Sequence, residues 1–140
     1  MLFYTTPVPR AVFQLIPELK DGELKVLLLI VYKTLGFRDM KGQTKTGRKE
    51  LDWIAGSQFR NGTGLTQRAI GSAIESLFCK GHIVVMDDRG TVLDTPMKRK
   101  GKTRIYFRLS TALMPACEEY SQYIGKKVSA LTNKFRITSS

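Results

Sequence analysis

The sequence predicts an α+β, mainly helical fold: a winged helix-turn-helix with a two- or three-stranded antiparallel wing and an added C-terminal helix. Three observations predict it. A brief helix and a glycine-containing turn, Asn61-Gly62-Thr63-Gly64-Leu65, lead into a second helix that Thr66 caps. That second helix repeats Ala69, Ile70, Ala73, Ile74, Leu77 and Phe78 at helical spacing on one face. An apolar strand then enters a charged segment that returns as the alternating strand Thr103 to Leu109. Helix, turn, helix and basic hairpin in that order present one helix to a nucleic-acid groove.

Composition bounds the reading. A chain of 140 residues holds one hydrophobic core of ordinary size. Its formal net charge of +11 attracts polyanions: nucleic acid first, then an acidic membrane or acidic protein. Cys79 and Cys117 both fall in apolar helical patterns without C-x-x-C pairing, which predicts two core residues in a reducing cytoplasm and neither disulfides nor a zinc site. The most apolar run, Val26 to Tyr32, is too short to span a bilayer, and no secretory signal opens the chain. The expectation is a soluble cytoplasmic protein without membrane partners.

Met1 to Arg10, with Pro7 and Pro9 between β-favouring residues, reads as an extended arm. The winged helix-turn-helix spans residues 11–110. Ala11 to Leu19 is a short helix that Pro17 ends or kinks. Asp21 is the expected N-cap of the next helix, and Glu23 lies in its first turn, where the dipole favours a carboxylate. Leu24, Leu27, Leu28, Ile30, Val31, Tyr32 and Leu35 make that helix apolar around most of its circumference up to a Gly36 C-cap, as in a buried central helix. Arg38 to Glu50 has nothing to bury and reads as a mobile, solvated loop; Lys41, Lys45, Arg48 and Lys49 would be able to touch flanking phosphates from it. Leu51 to Ile54 is a short strand able to pair with the later hairpin. Ser57 is expected to cap a helix through Arg60 or Asn61, with Phe59 turned inward.

The outward face of the second helix carries Gln67, Arg68, Gly71, Ser72, Glu75 and Ser76. Arg68 can donate two bonds to a guanine edge, Gln67 can pair with adenine, and Ser72 can serve a base or a phosphate. Gly71 would admit a close backbone approach. Glu75 repels phosphate and is expected to orient Arg68 or another cation. The same pattern on its own describes an ordinary wet helix face; the preceding turn and following hairpin favour recognition. Lys80-Gly81-His82 ends the helix through an αL glycine. The hairpin carries the densest basic cluster of the chain, Lys98, Arg99, Lys100, Lys102 and Arg104, placed to hold DNA phosphates.

Residues 111–140 complete the chain with Cys117, Tyr120, Ile124, Val128, Leu131 and Phe135 at intervals of three and four, an amphipathic helix that packs on the domain or pairs two copies as a homodimer. Catalytic patterns are lacking: His82 is the one histidine and neighbours a capping glycine, and neither G-x-x-x-x-G-K-[ST] nor a strand-linked G-x-G-x-x-G occurs. The expectation is a non-enzyme without metal or cofactor.

The segments V-F-Q-L-I-P-E-L, L-K-V-L-L-L-I-V-Y-K-T-L-G-F, D-W-I-A-G-S-Q-F and T-G-L-T-Q-R-A-I-G-S-A-I resemble the N-terminal winged-helix domain of the phage replication protein O family, a likeness that covers about Phe13 to Met86. The resemblance implies binding to repeated sites at a phage, prophage or plasmid replication origin, with DNA contacts on Thr66, Gln67, Arg68 and Ser72. It also implies double-stranded DNA as the partner, with the host replicative helicase or its loader as a second. The basic loop from Arg38 to Glu50 is longer than the family pattern, and members continue into a helicase-interacting region where this chain stops. A winged-helix transcriptional regulator would use the same helix and wing. A protein-interaction winged helix in a replisome or polymerase assembly is the alternative of a different class.

Overall fold

The computed structural model describes residues 5–44 and 46–114, which form an α+β fold of five α-helices and one small antiparallel sheet. The helix expected within residues 111–140 lies, from 115 onward, outside the described residues, as do Cys117, Lys45 and the first four residues of the arm. Thr5 to Pro9 forms neither helix nor strand, and Val8 packs against the core. The arm therefore ends at Pro9, whose fixed φ of −58° leads into α1 (Arg10–Leu15). Pro17 converts the next turn, Ile16–Glu18, to the tighter 3₁₀ form.

Helix α2 (Asp21–Leu35) runs through the core. Asp21 is its first helical residue and not its cap. The Glu23 carboxylate instead accepts from the Lys20 backbone N–H at 2.9 Å, so Lys20 is the cap and the helix begins one residue earlier than a cap at Asp21 would allow. Val26, Leu27, Ile30 and Val31 are fully buried, whereas Leu28 and Tyr32 face outward, so the helix has one wet side. Gly36 does cap it, but with φ −70°; a side chain there would strike the Tyr32 carbonyl oxygen, so close approach is what requires glycine.

The Arg38–Glu50 loop is organised and does not merely connect. Arg38 bridges Arg48, Asp39 N–H donates to Gly47 at 3.0 Å, and Lys49 N–H donates to Phe37 at 3.0 Å. The Asp39 carboxylate accepts from the Lys41 and Thr44 backbone N–H groups, and Thr46 Oγ1 donates to Glu50 at 2.8 Å. Short polar side chains thus supply the order that apolar burial supplies elsewhere.

Strand β1 (Asp52–Trp53) pairs with β3 (Tyr106–Leu109), which pairs in turn with β2 (Ile83–Met86), giving the order β1-β3-β2. Helix α3 (Gly56–Thr63) starts after Ala55 and not at a Ser57 cap, because the Gln58 side chain accepts from the Ala55 N–H at 2.8 Å. It runs through Asn61, Gly62 and Thr63, and only Gly64, at φ +75°, leaves the helix before α4 (Gln67–Cys79). Phe59 of α3 and Phe107 of β3 meet edge to face at 5.1 Å within the core cluster that also holds Leu27, Leu77 and Val85.

A buried polar tie crosses this core. Glu23, only 3% exposed, accepts from Ser76 Oγ and from Lys80 Nζ at 3.2 Å, fastening the start of α2 to the end of α4. Burial pushes its carboxyl up; the bonds from Ser76, Lys20 and Lys80 outweigh that and lower its pKa to about 2.

Between β2 and β3 the chain does more than turn. Asp87 accepts from the Arg89 and Thr91 N–H groups, Thr91 to Leu93 folds back along β2 with Leu93 buried, and a four-residue helix, α5 (Pro96–Arg99), precedes β3. Leu93 N–H donates to Val85 at 2.8 Å, closing this second edge of β2. Among the described residues, no helix is long and apolar enough to cross a membrane.

Candidate nucleic-acid interface

Helix α4 buries Ile70, Ala73, Ile74 and Leu77 against α2 and the sheet, which leaves Gln67, Arg68, Gly71 and Ser72 exposed on its other side. Thr66 Oγ1 accepts from Ala69 N–H at 3.2 Å, so the hydroxyl is occupied as a cap and retains its proton as a donor. This exposed side is one wall of a groove of about 730 Å³. Pro96, Arg99 and Lys100 form the facing wall, and Ile54, Phe59, Ile105 and Phe107 reach its floor. The groove brings together Gln67, Arg68, Ser72, Arg99 and Lys100 from the sequence-predicted set.

Their roles divide sharply. Arg99 was expected at the phosphates, but its side chain is only 11% exposed. Its guanidinium lies 3.3 Å from Glu75 Oε2, donates from Nε to the Leu93 carbonyl at 3.1 Å, and rests 5.3 Å from the Phe78 ring centroid. Arg99 is therefore an internal tie between α5 and α4, and Glu75 is the carboxylate that orients it. Its neighbours remain outside: Lys100 is exposed on the rim, and Lys98 is exposed while pairing with Asp94 at 2.8 Å. Among the described residues, neither Arg68 nor Lys100 has an ion-pair partner, whereas Lys80, Lys98, Arg99 and Lys102 each have one.

Two of the predicted cations stand elsewhere. Lys102 pairs with Asp87 at 3.8 Å; the Thr91 N–H above all, then the Arg89 N–H and the Lys102 charge, draw the Asp87 carboxyl below its ordinary range. Arg104 lies over the Trp53 ring at 5.0 Å, on the sheet face opposite the buried Ile54 and Phe107. Arg48 and Lys49 belong to the organised loop, Lys49 reaching Asp52 at 3.8 Å. Lys41 is exposed on the same loop.

Arg60 is the groove-side residue that the sequence did not mark. From α3 it donates through Nη1 to Gln67 Oε1 at 2.8 Å, which fixes the Gln67 amide with its NH₂ directed away from that bond. Helical periodicity cannot reveal such a contact, because it crosses the turn between two helices. Cys79, expected in the core, is exposed at the far end of the groove, where its thiol donates to Glu75 at 3.3 Å; that bond, with some burial, pushes the thiol pKa up. Among the described residues, no cluster of His, Cys, Asp and Glu is suited to a metal ion.

The chain matches no family model, no curated protein and no solved structure.

Proposed function

We propose that this chain is a winged-helix module that binds double-stranded DNA sequence-specifically, with α4 as the recognition helix and the β2–β3 connection as the wing. One observation carries the reading: a capped helix exposes Gln67, Arg68, Gly71 and Ser72 along a single side, and Lys100 faces them across the groove. Arg68 and Gln67 occupy the first turn, the end that enters a major groove in helix-turn-helix proteins. Among the described residues that line the groove, Glu75 is the one carboxylate, and its pairing with Arg99 keeps it from opposing a polyanion. Gly71 has open space where a side chain would stand, so backbone can approach base edges there.

The segments that resemble the replication protein O family support a role as an initiator that marks an origin, with no catalytic step of its own. Selection of bound sequences from random duplex DNA tests this. An enriched motif of one helical turn or a repeat of it is expected, recurring at an origin. Recovery of random sequence alone would refute sequence-specific binding, and enrichment at promoters would reassign the module to transcription.

A further inference from the structure

The outer face of the sheet is built from different chemistry than the groove. Trp53 of β1 is directly opposite Tyr106 of β3, so both rings stand on one face, with Met86 beside Tyr106 on β2. Arg108, two residues on, projects from that same face, as the period of two requires. Trp53 remains 37% exposed on an edge strand with a single neighbour. The Arg104 guanidinium, which has no carboxylate partner among the described residues, lies 5.0 Å from its ring centroid. Arg108 Nη2 stands 4.0 Å from Glu50, the outer limit of an ion pair.

Covering the sheet explains a large ring at this position, but an aliphatic side chain would do that as well and would leave Arg104 free in water. Two aromatic rings side by side, with the Arg104 guanidinium unpaired among the described residues and Arg108 held from Glu50 only at the limit of an ion pair, fit a ligand that repeats a flat π-face and a negative charge. A single-stranded nucleic acid is that ligand. A duplex is not, because its bases are already stacked and offer only edges. We propose that the Trp53–Tyr106 face is a stacking platform for single-stranded nucleic acid, with Arg104 and Arg108 holding its phosphates. This site lies on the opposite side of the sheet from the α4 groove and does not depend on duplex recognition there.

Trp53 is the chain's one tryptophan, so its fluorescence reports this face alone. Titration with oligo(dT) and oligo(rU) should quench it, whereas a blunt duplex bound through α4 should not; a preference between the two strands identifies DNA or RNA as the source. With a labelled strand followed by anisotropy, Trp53→Ala should weaken binding by about 5- to 150-fold, the range for loss of one stacked base. Arg104→Gln, which leaves both rings in place, should weaken it about threefold or more and flatten its salt dependence. Arg68→Ala should leave the quench unchanged, which separates failure here from failure of duplex reading. Single strands that bind without quenching, or a duplex that quenches equally, overturn the proposal, as does full affinity in Arg104→Gln.

Discussion

If α4 reads duplex DNA as proposed, Arg68 is the residue on which specificity turns. It is exposed in the first turn of α4, without an ion pair among the described residues, and its guanidinium can make two bonds to one guanine. Arg68→Ala should cost about 1–3 kcal/mol on a selected duplex and much less on random duplex, and should relax preference at one or two base positions. Thermal stability should stay within about 0.5 kcal/mol, since an exposed helical position is replaced. Equal losses on both duplexes, read by anisotropy, would show that Arg68 touches phosphate only. Glu23 is the opposite kind of residue, buried and important for folding. Its pKa falls from the ordinary 4.5 to about 2, so the folded state binds its proton less readily than the unfolded chain. The resulting stabilisation is fully present above pH about 4.5 and is lost as pH falls toward 2; it is on the order of 3 kcal/mol. In urea titrations, Glu23→Gln should lower stability at pH 7 and remove most of the acid-dependent loss between pH 4.5 and 2. A variant with the same acid slope as the parent would assign that slope to other carboxylates, of which Asp39, Asp87 and Asp94 also sit below their ordinary range.

At the level of elements, α4 and the β2–β3 connection act as a pair because Arg99 joins them. Arg99→Ala removes the bond to the Leu93 carbonyl, the Glu75 pair and the contact with Phe78, and should cost about 1–3 kcal/mol of stability. Lys98→Ala with Lys100→Ala should change the melting temperature little yet weaken all duplexes alike, since phosphates carry no sequence information. Unchanged duplex affinity in the lysine pair would mean that α5 does not touch DNA. The sequence made α4 legible because its cap and its apolar period agree, and both are local. It made the Gly81 cap and the pairing of Leu51 to Ile54 with the hairpin legible for the same reason. Asp21 and Ser57 failed as caps because Glu23 and Gln58 reach back from the third helical position, a competition that residue preference alone does not decide. Arg99 could not be told from Lys98 and Lys100: a basic run has no period, and only the fold-back of Leu93 along β2 carries one of its three members inside. The Arg38–Glu50 loop was opaque in the same way, since its order rests on Asp39 and Thr46 bonds that need the folded geometry to exist.

For the whole molecule, the proposed duplex binding would take its affinity from charge, while shape decides which part of that charge is useful. The net charge is +11, but the groove side owes its cations without an ion pair among the described residues to Arg60, Arg68 and Lys100, with Lys98, paired to Asp94, at its margin. If these groups meet about four phosphates, log affinity should fall against log salt with a slope of about −3.6. A slope near zero, measured by titration across salt concentrations, would point to a protein partner and to the scaffold reading of the fold. Arg99 adds a consequence in kinetics. Because its guanidinium locks the two walls of the groove to each other before any ligand arrives, binding need not wait for, or give up entropy to, their assembly. Encounter should then be steered by charge alone, and the discrimination between right and wrong duplexes should be expressed almost wholly in how long each one stays bound.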